Sequence, residues 1–412
     1  MNKKKYILII TFFLIILSVL TFEKNQSINV LSKSTIHESK EVTVSSNDNA
    51  NKEDNIDEYI GQTIKITSMG NLVFHGPILE SAKTSEGYDF TSSFQYIKDK
   101  INGSDISIAV LESSLPGDGE YSGYPIFKSP DEVLDGLKYA GVNTINFANN
   151  HVIDSGSSGV YRDCTISKEK GFDVLGIRKN TADKKYLVKE VKGHKIGLIS
   201  YVYETEEVNG EPTINGICVP KECMDLINRF NYKKLEELYD DVEQVISEMK
   251  REGVEFFIFN FHWGEEYDTM YNSYQKEIAE KLNDLGVDII LGNHPHVIQP
   301  YEVIKNEKGK STFVCYGQGN NLSNQSYATL GNSNTEDGLL LSFLIEIEEE
   351  GLVLKEYTVT PLWVERTLNE NGKYNFTIIP LGEDDDITAS NESVGRTKRI
   401  VGQDSLGTFE IN

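Results

Sequence analysis

Leu137-Lys138-Tyr139-Ala140-Gly141-Val142-Asn143-Thr144-Ile145-Asn146-Phe147-Ala148-Asn149-Asn150-His151 contains a complete structural unit. A helical pattern ends at Gly141, where a left-handed residue is wanted. The apolar run Val142 to Ala148 reads as a strand, and polar residues appear where it stops. The helix has a marked start, with Ser129 as N-cap, Pro130 in the first turn and Glu132 closing a capping box. The unit recurs as Met249 to Gly253, Val254 to Phe261, then His262-Trp263-Gly264-Glu265-Glu266. It recurs again as Leu282 to Gly286, Val287 to Leu291, then Gly292-Asn293-His294-Pro295-His296. Two earlier strands fit the scheme: Ile64 to Met69 leads into Gly70-Asn71 and on to His75, and Ile106 to Leu111 leads into Glu112. Apolar strands alternating with helices predict an α/β fold with parallel pairing, right-handed crossovers and sheets covered on both faces. In such folds ligands gather at the carboxyl ends of the strands, so these motifs are expected to form one site.

The remaining chain divides by texture. Lys3, Lys4 and Lys5 precede an apolar run from Tyr6 to Phe22; about 17 residues of helix span roughly 25 Å. Residues 1–22 are expected to be a membrane anchor with its amino end in the cytoplasm. Leu20-Thr21-Phe22-Glu23-Lys24 offers no Ala-x-Ala-like cleavage site. The expected location is therefore the cell membrane, single-pass with an extracellular domain, or secreted if the segment is cleaved. Residues 23–59 are polar and predict a disordered stalk, residues 60–365 the folded domain, and residues 366–412 a peripheral extension, polar and weakly patterned from Asp384. Gly338 to Ile347 and Leu352 to Val364 alternate enough to predict a closing antiparallel pair. The formal net charge of -24 argues against a nucleic-acid partner. The 4 cysteines do not make a zinc ribbon and read as free thiols, although Cys218 and Cys223 lie close enough in sequence to pair.

Five of the 7 histidines stand in the strand-end motifs: His75, His151, His262, His294 and His296. Imidazole ligates Zn, Mn and Fe and titrates near neutral pH. An extended backbone through Pro295 would send His294 and His296 into one cavity; the plainer alternative is a tight turn with both exposed. Asn149-Asn150-His151 offers a carboxamide ligand beside an acid or oxyanion partner, or simply a polar turn. Glu112 is the carboxylate that best complements these imidazoles. Asp154 and Gly156 are expected to shape the turn after His151, and Glu266 to orient His262. Trp263 reads as a packed wall near the ligand or as a core residue. Lys128 and Arg162 are candidate cations for an anionic substrate.

Gly141 through Asn149-Asn150-His151 to Asp154-Ser155-Gly156 resembles an ANNH-x-x-D-x-G element. His262-Trp263-Gly264-x-Glu266-Tyr267 resembles HWG-x-E-Y, Gly292-Asn293-His294-Pro295-His296-Val297 resembles G-x-HPHV, and Tyr316 to Asn320 is similar to Y-S-L-G-N. Together, in order from about Ile60 to Val364, they resemble the CapA-type capsule proteins, or poly-γ-glutamate synthesis proteins, which are related to calcineurin-like metallophosphoesterases. The resemblance implies a metallophosphoesterase-like sandwich of two mixed sheets flanked by helices. It implies Asn150, His262, His294, His296 and Glu112 as ligands of a divalent metal (Mn, Zn or Fe, one ion or two), with His151 and Glu112 catalytic. Asn71, His75, Asn149, Asp154, Trp263, Glu266 and Asn320 would surround the substrate or support the ligands. The implied partners are poly-γ-glutamate or a related anionic polymer, membrane synthase subunits, and the membrane itself through the anchor. The implied role is capsule polymer synthesis, export or release; the alternatives are a non-catalytic subunit of a synthase complex or a general envelope phosphoesterase. This sequence departs from the family pattern at Asn71, where Asp is usual, at Val110, where Asn is usual before Leu-Glu, and at Gln318 and Asn321.

Overall fold

The computed structural model describes residues 59–411 except 118, 371 and 383–387. The expected anchor, 1–22, and all but the last residue of the expected stalk lie outside the described residues. No helix among the described residues is long and apolar enough to cross a membrane.

Strands β1 (Thr63–Leu72), β2 (Ile106–Leu111), β3 (Thr144–Asn146) and β4 (Asp173–Leu175) lie side by side and parallel. Helices α1 (Gly76–Ala82), α2 (Glu132–Ala140) and α3 (Gly156–Glu169) fall between them in sequence. The chain then enters a second sheet through β5 (Leu187–Val191) and β6 (His194–Tyr203), and leaves it for a small sheet of β7 (Thr205–Val208), β8 (Glu211–Ile214) and β9 (Ile217–Cys218). It returns with β10 (Arg229–Phe230), α4 (Leu235–Arg251), β11 (Val254–His262), α5 (Ser273–Leu285), β12 (Ile289–Asn293), β13 (Tyr301–Lys305) and β14 (Ser311–Cys315). The second sheet runs β10-β6-β11-β12-β14-β13, parallel except for β13 and the flanking β5. Finally β15 (Asn320–Leu322) joins β1, while β16 (Asp337–Glu348), β17 (Gly351–Leu368) and β18 (Tyr374–Pro380) extend the first sheet antiparallel beyond β1. Helix α6 (Thr388–Val401) and β19 (Gly407–Glu410), which pairs with β17, complete the described chain.

The two sheets pack face to face. Ile66, Ile108 and Leu341 of the first meet Leu198, Ile258 and Leu291 of the second in one buried cluster. Leu134, Leu137 and Val160 of α2 and α3 cover the outer face of the first sheet, and Val242, Ile278 and Leu282 of α4 and α5 that of the second. All six residues of β2 are buried, as its unbroken apolar run requires. Fully burying such a side chain contributes about 1.5–3 kcal/mol. This is the expected sandwich of two mixed sheets flanked by helices.

Gly141, Gly253 and Gly286 have φ of 94°, 83° and 92°, as their helix-ending positions predict. Cys164, Cys218, Cys223 and Cys315 are all free thiols. Other expectations need correction. Asp131, not Ser129, precedes α2, and it makes no side-chain cap; the Ser129 hydroxyl is buried and bonds Ser113 Oγ at 2.7 Å instead. The strand expected over Val142 to Ala148 shortens to Thr144–Asn146, because Asn146 Oδ1 accepts from Ala148 N (2.9 Å) and curls the chain. The boundary at 365 falls inside β17, and residues after it add β18, α6 and β19 to the first sheet. Arg396 of α6 grips Asp337 through two hydrogen bonds (2.7 and 2.8 Å). The polarity of this extension reflects an edge position, where one face meets solvent.

Candidate functional site

Each expected residue sits where a parallel strand ends. Asn71 is the second-to-last residue of β1 and Glu112 lies just beyond β2. Asn149, Asn150 and His151 follow β3, His262 closes β11, and His294 and His296 follow β12. Asn71 is in register with Asn320 of β15, and His262 with Asn293 of β12. Pairing across both sheets therefore brings residues from distant parts of the chain to one end of the sandwich. Asn71, Glu112, Asn149, Asn150, His151, His262, His294, His296 and Asn320 are all buried. The ring centroids of His262 and His294 are 4.9 Å apart, and those of His294 and His296 6.1 Å.

The two histidines converge, but not through an extended backbone. His294 has φ 100° and His296 φ 58°, so the chain turns sharply after Asn293. Such conformations cost of order 1–3 kcal/mol each in a residue with a Cβ. Burial rules out the exposed-turn alternative.

The polar contacts define which atoms face the interior. His262 Nε2 bonds Asn150 Oδ1 (2.9 Å); a carboxamide oxygen only accepts, so Nε2 carries the proton and Nδ1 a lone pair. That Nδ1 is buried without a partner, as is His294 Nδ1, whose Nε2 contacts the Tyr203 hydroxyl (3.1 Å). His296 Nδ1 lies 3.0 Å from Asn320 Oδ1 and 3.4 Å from Asn71 Nδ2. Because Asn320 Nδ2 already donates to Gln325 Oε1 and Thr335 O, its oxygen faces the ring and receives the Nδ1 proton. His296 Nε2 then presents a lone pair to Glu112 Oε1 at 3.6 Å, beyond hydrogen-bond reach. Both Glu112 oxygens and Asn71 Oδ1 have no partner at all. Burial holds His262 and His294 well below the usual histidine range and His296 at about 4, so these rings are neutral at pH 7. Burial pushes the Glu112 carboxyl well above its ordinary value, reinforced by Glu266 and Asp154.

Buried lone pairs without donors are costly. Here a carboxylate, a carboxamide and two imidazoles carry them in one place, and this donor chemistry fits a divalent cation. Among the described residues no three His, Cys, Asp or Glu side chains form a ready-made cage; the carboxamides of Asn71 and Asn150 are further donors.

The supporting residues divide differently from expectation. Asp154 does more than shape a turn: its Oδ2 holds His151 Nδ1 (2.7 Å) and accepts from Phe127 N (2.6 Å). Asn149 donates to Leu111 O (2.8 Å) and accepts from His151 N (2.9 Å), tying His151 to the residue before Glu112. His75 lies at the rim, edge-on to Phe127 (5.0 Å), and burial lowers it to about 4. Trp263 is a core residue. It is 0% exposed, stacks on Phe261 (4.9 Å), and donates Nε1–H to Tyr316 O (2.8 Å). Glu266 is exposed and acts on Glu112 only through space, while Asn150 does the orienting of His262. Arg162 is committed to Asp131 by two bonds of 2.7 Å. Tyr203 and Phe127 escaped the sequence reading. Aromatic residues at those positions look like core, and only the fold sets them against His294 and His151 (ring centroids 4.8 and 4.6 Å).

Comparison with known proteins identifies the family. The model of the bacterial capsule synthesis protein PGA_cap family matches residues 65–325. The chain belongs to that family. Every candidate residue from Asn71 to Asn320 lies within the PGA_cap match. The capsule biosynthesis protein CapA of Bacillus anthracis is 26% identical over 243 residues, 57% of this chain and 51% of that protein, so the alignment spans about half of that relative's length. The PGA biosynthesis protein CapA of Bacillus subtilis (strain 168) is 25% identical over 312 residues, 74% of this chain and 72% of that protein. Among solved structures, the calcineurin-like phosphoesterase YfkN from Bacillus subtilis is a distant likeness, with 13% identity, a TM-score of 0.39, and coverage of 82% of this chain and 97% of that one.

Proposed function

We propose that this PGA_cap protein acts in the synthesis, export or release of poly-γ-glutamate at the cell surface, through a metal-assisted site at the joined strand ends. The observation that carries the proposal is Glu112, a fully buried carboxyl whose two oxygens have no partner, facing neutral imidazoles with lone pairs to spare. His262, His294, His296, Glu112 and the carboxamides of Asn71 and Asn150 would hold a divalent ion, and such an ion would supply Lewis acidity to a carbonyl or phosphoryl oxygen. The chain's own residues then have separate tasks. Asp154 fixes His151 with its Nδ1 proton inward, leaving Nε2 to exchange a proton with the substrate. Asn320 orients His296, and Asn150 orients His262. The membrane location through residues 1–22 and contact with membrane synthase subunits belong to the same proposal.

Metal analysis of the purified protein, paired with polymer turnover by the His294→Ala/His296→Ala variant, tests this. Absence of stoichiometric Mn, Zn or Fe together with unchanged turnover would sink it. A panel of phosphoesters with added manganese separates it from a general envelope phosphoesterase. One observation favours a second reading, a non-catalytic subunit of a synthase complex: the neutral Asn71 stands where the family usually has Asp. Co-purification with membrane synthase subunits and no turnover by the isolated protein would favour that reading.

A further inference from the structure

A second cavity of about 380 Å³ opens at the end of the second sheet, between β6, β10 and the start of α4. Its lining includes Arg178, Lys185, Tyr201, Glu204, Asn228 and Asp241. Arg178 is 7% exposed, and its backbone is anchored through Arg178 N to Leu226 O (2.9 Å). Nη1 donates to Asn228 Oδ1 (2.9 Å), and Nε–H is buried without a partner. Among the described residues no carboxylate forms an ion pair with Arg178. Asp241 is held by Lys185 and the Tyr201 hydroxyl (2.9 Å), and Glu207 by Lys234 (3.3 Å). Asp225, exposed on the cavity wall, acts on Arg178 only through space and forms no ion pair with it. Glu204 pairs with Arg229 (2.8 Å), whose Nε–H is not aligned for a hydrogen bond, and accepts from Asn231 (3.0 Å). One buried cation is left over, and a buried unpaired charge is costly until an anion meets it.

We propose that this cavity is a carboxylate-binding subsite, with Arg178 as the receiving cation. A guanidinium fork matches the two oxygens of a carboxylate. Walls bearing several carboxylates favour a singly charged ligand group over a phosphate dianion. The cavity volume suits a small-molecule or side-chain-sized group. Its place points to the ligand. Tyr203 touches His294 Nε2 at 3.1 Å, and the next residue, Glu204, lines the cavity. A polymer with a carboxylate on every unit can seat one in the Arg178 cavity while a neighbouring unit reaches the histidines. That link to polyglutamate rests on the function proposed above; the carboxylate site itself does not.

Calorimetric titration of the purified protein with L-glutamate, with D-glutamate, with a short γ-glutamyl oligomer and with the same oligomer amidated at its α-carboxyls tests the proposal. The unmodified ligands bind the wild type, and Arg178→Gln weakens them about tenfold or more, the loss expected for a charge-assisted bond. Amidation has the same effect on the oligomer. Arg178→Lys keeps the charge but not the fork, and weakens binding even if Arg178→Gln does not fold. Binding of free glutamate through Arg178 without binding of the oligomer supports the subsite and removes the polymer from the function proposed above. Equal binding by wild type and Arg178→Lys, or no binding of any carboxylate to the wild type, overturns the subsite.

Discussion

Glu112 and His151 show how two side chains a few residues from strand ends acquire opposite characters. Glu112 has no protein donor, so burial favours its neutral acid unless a cation compensates. His151 is buried too, but it has Asp154 at 2.7 Å to hold its ring. Replacing that carboxylate by a carboxamide keeps the volume, removes the negative charge and puts a donor NH2 in place of one acceptor oxygen, so the His151 tautomer is no longer fixed by a carboxylate. Asp154→Asn should lower polymer turnover by about 100- to 10,000-fold, the span of a general acid–base contribution, with metal content unchanged; single-turnover assays and elemental analysis check both. Asn71 is the matching test of the ligands. Its buried Oδ1 is unpartnered, and Asn71→Asp would add the charge that a hard cation prefers. Metal affinity should rise by roughly tenfold or more, measured by competition with a chelator; no gain would place Asn71 outside the ligand set.

The strand ends are tight as elements. Gly292, on β12, sits where a Cβ would lie 2.0 Å from Tyr316 O and 2.5 Å from Trp263 Nε1. The glycine lets the indole reach that carbonyl, and β12 keeps its place beside β14. Gly292→Ala must displace one of them. A loss of about 2–3 kcal/mol is expected, as for an overpacked core, and urea denaturation followed by near-ultraviolet circular dichroism measures it. Two residues on, the chain adopts positive φ at both His294 and His296. The turn is pinned on three sides: Trp263 N donates to Asn293 O (3.0 Å), Tyr267 N to Pro295 O (2.7 Å) and His296 Nδ1 to Asn320 Oδ1 (3.0 Å). Trp263 therefore serves the site from the core side.

At the scale of the whole molecule, buried titrating groups set the dependence of stability on pH. Asp163 of α3 is buried, accepts from Leu115 N (2.7 Å), and has its other oxygen unpartnered. Burial raises it from 3.8 to about 8. Between those values the folded state holds a proton that the unfolded chain has lost, so its contribution to stability falls as pH rises. Asp163→Asn removes that slope. The Tm of the variant should match the wild type near pH 4 and exceed it increasingly toward pH 8; a constant difference would show that Asp163 does not titrate in this window. His75 and His296, both lowered to about 4, act oppositely. The unfolded chain takes up protons below about 6.5, so stability is lost as pH falls toward 4.

The sequence by itself determined the α/β class, the strand ends that gather the candidate site, the helix-ending glycines and the family motifs. These depend on local physics: apolar runs demand cover on both faces, and a left-handed turn selects glycine. Only the tertiary structure decided the rest. Asn150 proved to orient His262 as well as to stand near it, Trp263 turned into the core, and Glu266 turned outward. The polar residues after 365 proved to build β18, α6 and β19 onto the edge of the first sheet. The Arg178 cavity was invisible in the sequence, because an arginine is unpaired only with respect to neighbours that folding brings from elsewhere in the chain. Which atom meets which is set by register between distant strands, and register is a property of the packed sheets, not of any local stretch.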